Sequence, residues 1–281
     1  ILYVKGSGWD LEFIEKAGFS PVRMNHMLSL AKLDSLSDPQ MVNELKTQLT
    51  NASSPAPSVE TILHAILPFK YVDHTHSDAV VTITNTTAGG DRIREIYGDR
   101  VVIIPYVMPG FDLAKDVARI FSEQSTDKTE GMILMNHGIF SFGDCAKESY
   151  DRMISLVNEA ENYLMSKNAW DIAKPETNFS VKTIRNQVAE LRQKISLIVG
   201  KPVLMSITNS QLGLGFSNRK DVNEIATKGP LTPDHVIRTK RIPMIGRDVN
   251  KYNEEYASYF NKNEINAKDR KTMLDSAPRV I

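Results

Sequence analysis

The chain has 281 residues, 41% hydrophobic and 24% charged, and its 34 basic and 34 acidic residues cancel to a formal net charge of 0. That is a globular composition, with apolar residues enough for one large or two small domains. There is no basic block to hold nucleic acid or an anionic surface, no apolar run of transmembrane length and no legible signal peptide.

The single Cys145 rules out an intrachain disulfide and fits the reducing cytoplasm. Ile1 opens the chain inside an apolar run, and Pro278-Arg279-Val280-Ile281 reads as the start of a strand. The expectation is therefore a piece of a longer polypeptide.

Ile1 to Lys5 predicts a strand closed by Gly6-Ser7-Gly8, then a short helix over Trp9 to Lys16 with Gly18 beyond its end. Val22 to Leu30 is ambiguous and reads best as a strand. Asp38-Pro39 opens a helix to about Thr50, with Asp38 as the cap. Ser58 caps a helix that runs to Leu67 and stops at Pro68. Tyr71 to His76 is a strand, Ser77 to Thr84 a helix, Thr86 to Gly90 a turn and Asp91 to Tyr97 a short helix. Val101 to Pro105 is a buried-type strand, and Leu113 to Ser122 a helix. Gly131 to Asn136 is a strand, Ile139 to Phe142 pairs back on it, and a long helix reaches Lys167. Interleaved strands and helices with hairpin-like returns predict a mixed sheet covered by helices. Beyond a linker at 171–177 come a helix over Val181 to Val199, a strand over Pro202 to Thr208, a helix over Lys220 to Thr227 and a last helix over Val249 to Lys262. The expected domains are 1–170 and a C-terminal extension, 171–281.

The chemistry concentrates in few residues. His74 and His76 are two apart on a predicted strand, so their side chains share a face. Such a pair can hold one metal ion, or simply pack. His137, between Asn136 and Gly138, is either a third ligand or a turn residue before a flexible glycine. Three imidazoles and a carboxylate suit an open zinc site, and imidazole also takes other divalent transition ions. Glu60 lies near a helix start, where a carboxylate complements the dipole whether or not it does chemistry. His64, one turn on, reads as packing or orienting. Gly6-Ser7-Gly8 can cradle an anion through its amides, as can many strand-to-helix turns. Gly213-Leu214-Gly215 lacks the third glycine and the preceding strand of a dinucleotide fingerprint. Tyr252, Tyr256 and Tyr259 form a helical stripe that reads as packing or interface.

Ser58-Val59-Glu60, His74-Thr75-His76 and Asn136-His137-Gly138, in this order, resemble the class II aldolase/adducin family. Gly6-Ser7-Gly8 is similar to its first glycine-rich turn, and Ile104-Pro105-Tyr106 to the segment carrying its proton-donating tyrosine. Further on, Gly229 to Lys240 resembles the aldolase half of bifunctional rhamnulose-1-phosphate aldolase/alcohol dehydrogenases, in which a dehydrogenase domain follows. The resemblance implies a three-layer α/β/α fold around a mostly antiparallel sheet, with a C-terminal α/β extension. It implies zinc on His74, His76 and His137, Glu60 as acid/base and Tyr106 at the aldehyde oxygen. Ser7, Gly8 and Ser58 would bind phosphate. Val59 departs from the family's fuculose-phosphate enzyme, which has a second serine there; the stretch from Gly8 to Ser58 is longer than in the small aldolases, and an upstream Gly-Asn phosphate motif is absent.

The implied activity is zinc-dependent cleavage of a deoxyketose 1-phosphate, L-rhamnulose 1-phosphate first among candidates, to dihydroxyacetone phosphate and an aldehyde. The implied setting is a cytoplasmic homo-oligomer, a homotetramer in the family's aldolases. It acts on a small sugar phosphate, with no nucleic acid or membrane partner. A sugar-phosphate epimerase or dehydratase would use the same metal site. An adducin-like assembly domain is the non-enzymatic alternative, disfavoured because adducin heads lack these histidines.

Overall fold

The computed structural model describes residues 1–171, 181–208, 210–232, 235–236, 239–267 and 270–281. They form two compact units, Ile1–Ser166 and Lys167–Ile281.

In the first unit, β1 (Leu2–Lys5) and β2 (Phe19–Val22) make an antiparallel ribbon, with Leu2 opposite Val22 and Lys5 opposite Phe19. A four-stranded sheet follows, built from β3 (Tyr71–Thr75), β4 (Val101–Ile104), β5 (Gly131–Leu134) and β6 (Gly138–Gly143) in the order β3-β6-β5-β4. β3/β6 and β5/β6 are antiparallel and β4/β5 parallel, so the sheet is mostly antiparallel.

The sheet is covered on both faces, and its inner strands accordingly read as unbroken apolar runs. Met132, Leu134, Phe140 and Phe142 point into one core with residues of α1 (Met24–Leu30), α2 (Asp38–Thr47), α3 (Thr61–Ile66) and α6 (Phe111–Gln124). Phe69 stacks on Phe142 at 4.5 Å between ring centroids, and Phe121 meets the same ring edge-on at 5.4 Å. Alternate residues serve the other face, against α7 (Ala146–Ser166), where Ser141 Oγ donates to Ser149 O at 2.8 Å and Thr75 Oγ1 to Met153 Sδ at 3.4 Å. α4 (Asp78–Thr84) and α5 (Gly89–Tyr97) pack with α7 on that side. This is the expected sheet between helical layers.

Several local expectations are corrected. Trp9 to Lys16 is not a helix: Asp10 Oδ1 accepts from Glu12 N at 3.0 Å, a side-chain turn that competes with helix formation, and only a 3-10 turn forms at Lys16–Gly18. Gly18 lets that loop fold back, since a Cβ there would meet Ile14 Cγ1 at 2.7 Å. The run from Val22 divides, β2 ending at Val22 and α1 starting at Met24, with Met27 and Leu30 buried one turn apart. Ser37, not Asp38, caps α2, through a reciprocal capping box with Gln40, and the helix ends at Thr47.

In the second unit, the described residues contain α8 (Val181–Val199), α9 (Gln211–Ser217), α10 (Val222–Ile225) and α11 (Val249–Glu264), and no strand. The strand expected over Pro202 to Thr208 is an extended segment instead. Val203 and Met205 pack on the small core and Leu204 is fully exposed, an alternation without a neighbouring ladder. Ile195, Met244, Val249, Tyr252 and Ala277 make that core. Buried Lys240 donates to Asp275 O and to Ala277 O (2.6 Å), and lies 4.0 Å over the Tyr256 ring; desolvation lowers its pKa to about 8. Tyr252 Oη donates to Ile242 O at 2.9 Å, so the tyrosine stripe is partly core. Gly213 and Gly215 lie on α9, where Ser210 accepts from Gly213 N as an ordinary cap. The linker reading at 171–177 falls, after Asp171, outside the described residues, as do positions 233, 234, 237 and 238 of the Gly229–Lys240 stretch.

Buried Tyr97 donates its hydroxyl to Leu156 O at 2.7 Å, tying α5 to α7. Tyr97→Phe should lower stability by about 1 kcal/mol, read from the urea midpoint; an unchanged midpoint would show that this bond contributes nothing.

Candidate metal centre

α3 is short because Leu67 precedes Pro68 and takes the extended conformation that proline demands (φ −73°, ψ 129°). Thr61, Ile62, Leu63 and Ala65 are buried, so the helix is held by packing on nearly every side. Its start differs from the expected one. Ser58 lies two residues ahead of the cap position, which Glu60 occupies. Ser58 Oγ accepts from Glu60 N at 3.2 Å, and His64 N donates to Glu60 O at 3.0 Å. The Glu60 backbone is thus fixed at the helix mouth.

β3 supplies His74, and His76 follows one residue past its end, where the expected strand has already stopped. His74 lies opposite Phe140 and Thr75 opposite Ile139. His74 Nδ1 is 3.0 Å from Ile139 O; the carbonyl can only accept, so Nδ1 carries the proton and Nε2 presents its lone pair to the cluster. His137 arrives from the β5–β6 turn. Asn136 makes that turn possible with φ +58°. It is anchored to the end of α4: its N donates to Thr84 Oγ1 (3.2 Å), and its Nδ2 to Thr84 O (3.4 Å) and Asn85 Oδ1 (2.6 Å). Gly138 lets the two strands close. A Cβ there would meet Thr75 O at 2.5 Å and the His74 and His76 rings at 3.0 Å.

The outcome is a group of four: Glu60, His74, His76 and His137 each offer one ligand atom, and these atoms all lie within 4.8 Å of one another. His74 Nε2 is 3.4 Å from Glu60 Oε2, and His137 Nε2 is 3.2 Å from Glu60 Oε1. Among the described residues, buried His74 Nε2 and His137 Nδ1 have no hydrogen-bond partner, a state that costs about 1–3 kcal/mol per group unless a ligand satisfies it. Desolvation lowers the pKa of His74 to about 3, despite the Glu60 carboxylate and with help from its histidine neighbours. Burial pushes the Glu60 carboxyl up, but His74 and the His137 hydrogen bond outweigh it and hold the group well below the usual range. A neutral His74 imidazole beside an ionised carboxylate is in the protonation state that metal binding requires. The donor set fits a divalent transition ion, and leaves the metal's identity open.

The Gly6 turn is bridged to Pro57, Ser7 N donates to Ala56 O at 2.8 Å, and Ser58 N to Lys5 O at 3.2 Å. That brings Ser7 and Gly8, at φ +85°, alongside the segment leading to Glu60. Tyr106 does not join the buried group: it is 54% exposed, its hydroxyl 3.9 Å from Met108 Sδ. His64 is adjacent, its ring 5.4 Å from Phe140, and burial lowers its pKa. His26 pairs with Glu44 at 2.7 Å, and His235 Nδ1 with Thr232 Oγ1 at 2.6 Å. Sequence reasoning passed over the bracing by Asn136 and the close approach at Gly138, although the Asn-His-Gly triplet was itself the available signal.

Residues 1–164 match the class II aldolase and adducin N-terminal domain, and residues 178–281 the second domain of class II aldolases. The chain belongs to the class II aldolase and adducin family. It is 32% identical over 308 residues to an uncharacterized oxidoreductase, YuxG, of Bacillus subtilis; the match takes in 100% of this chain and 43% of that protein, so the chain spans less than half of the relative's length. It is also similar to the N-terminal class II aldolase domain of a conserved protein from Thermoplasma acidophilum, at 46% identity and a TM-score of 0.53, covering 57% of this chain and 73% of that one.

Two expectations follow. Gly138→Ala should cost about 1–3 kcal/mol in the urea midpoint, because the obstruction is strand backbone that cannot step aside; a neutral substitution would mean that the strands have room. The folded-state pKa of His74 lies below its ordinary 6.5, and that of Glu60 below 4.5, so both contributions are complete above those values and are lost as pH falls. Metal-free protein should therefore lose stability from about pH 6.5 downward, less steeply in His74→Asn. Parallel profiles for the two proteins would contradict this.

Proposed function

We propose that this chain is a divalent-metal-dependent lyase, of the zinc type, that cleaves a deoxyketose 1-phosphate. L-rhamnulose 1-phosphate is the first candidate, and dihydroxyacetone phosphate and an aldehyde are the products. The reading is carried by the Glu60/His74/His76/His137 group and supported by the family, whose membership speaks for a lyase or related enzyme. Bound zinc would supply Lewis-acid polarisation of the substrate's oxygens.

The chain's own residues do the rest. In the condensation direction Glu60, ionised at rest, takes the proton from the carbon next to the carbonyl; in cleavage the hydroxyl that becomes the aldehyde gives up one proton, and Glu60, once protonated, delivers one to that carbon, so the two balance. As the carbon–carbon bond breaks, its electron pair stays on the ketone fragment, and the departing hydroxyl becomes the aldehyde. Tyr106 handles the proton on that oxygen. Its exposure suits service to the site of a neighbouring copy in a homo-oligomer. Ser7 and Ser58, through their hydroxyls, and Gly8, in the glycine-rich turn, receive the phosphate; the Ser7 and Ser58 amides already donate to Ala56 O and Lys5 O. An epimerase or dehydratase would draw on the same group, and product analysis separates the three. No helix among the described residues is long and apolar enough to cross a membrane.

Purified protein should hold one zinc per chain and lose it in His74→Ala. Glu60→Gln should lower kcat on L-rhamnulose 1-phosphate by about 10²–10⁴-fold with the metal retained. Zinc well below stoichiometric and insensitive to His74→Ala, or full turnover by Glu60→Gln, would overturn the reading.

A further inference from the structure

We propose that Phe140 is a positioning residue for the metal centre, the flat wall that sets the plane of the His74 ring. The inference rests on the metal-site reading above and adds a residue to it.

Phe140 lies directly opposite His74 in the β3/β6 register, so both side chains stand on the same face of the sheet. Their rings stack almost parallel, with centroids 4.0 Å apart and planes 17° apart. On the same face, the His64 ring approaches Phe140 at 5.4 Å, tilted by 53°. Phe140 is fully buried in the main core among residues such as Leu134 and Phe142, and so cannot turn away.

An imidazole on a flexible Cβ has two torsions to fix before its lone pair points anywhere useful. The bond from His74 Nδ1 to Ile139 O holds one edge of the ring but leaves it free to rock about that contact. The Phe140 face removes the rocking. Together they direct Nε2 toward Glu60 Oε2, 3.4 Å away. Both restraints come from consecutive residues of β6, Ile139 and Phe140, so the strand that carries the Gly138 approach also aims the ligand. Residues that orient a metal-bound histidine typically change affinity by about 10–100-fold when replaced.

Phe142 supplies the matched control. It is two residues along on the same face and equally buried, but its ring meets Phe69 and Phe121 instead of a histidine. Phe140→Leu and Phe142→Leu remove the same aromatic face from the same core. Zinc affinity of the metal-stripped full chain is measured by competition with a chromophoric chelator, and the visible spectrum of the cobalt-substituted protein is recorded alongside. Phe140→Leu should bind zinc about 10–100-fold more weakly and shift the cobalt bands, and Phe142→Leu should stay within about twofold of wild type. If Phe140→Leu does not fold, Phe140→Met, which refills the volume with a flexible side chain, should show the same loss. Zinc binding by either Phe140 variant within twofold of wild type, or equal weakening in Phe142→Leu, would overturn the proposal. Wild-type protein that binds no zinc would instead overturn the functional reading together with this inference.

Discussion

The antiparallel pairing of β3 with β6 is the constraint on which the site depends. It sets His74 against Phe140, gives His74 Nδ1 the Ile139 carbonyl and brings the end of β3 onto Gly138, beside His137. A slip of one residue would turn His74 and His76 toward α7 and leave Thr75 facing α3. The hydrophobic pattern forbids that slip. Val72 shares its face with the core around Phe142, and Thr75 is engaged by Met153 on the opposite side. Core packing and ligand placement are thus one geometric requirement.

The same pairing explains a local electrostatic conflict. Four ionisable side chains are gathered in a partly buried place, and folding alone leaves some of their polar atoms unsatisfied. Burying such groups opposes folding; desolvation lowers the pKa of His74, and contact with His74 and His137 keeps that of Glu60 below the usual carboxylate range. A large apolar core, with Phe140, Phe142 and Ile62 among its members, offsets the cost.

Much of this was legible in the residues. The period of two made His74 and His76 neighbours, the strand-ending Asn136-His137-Gly138 flagged the third histidine, and the continuous apolar runs announced a sheet covered on both faces. What escaped was whatever depends on a partner distant in sequence. Neither the role of Phe140 nor that of Ile139 can be seen without knowing which residues of β6 stand opposite β3. Caps shifted by one or two residues: at α2 the Ser37 hydroxyl takes the Gln40 amide, and at α3 the Ser58 hydroxyl takes the Glu60 amide ahead of the helix. Pro202 to Thr208 has the alternation of a strand and, among the described residues, no strand beside it, a matter of tertiary context that no local pattern records.

The most direct measurement is X-ray absorption at the zinc edge on zinc-loaded full-length chain, which counts and identifies the atoms around the ion. Three imidazole nitrogens at about 2.0–2.1 Å, one fewer in His137→Ala, are the predicted result. A sulfur ligand, or a shell of oxygens without imidazole scattering, would contradict the assignment of the ion to this place in the fold.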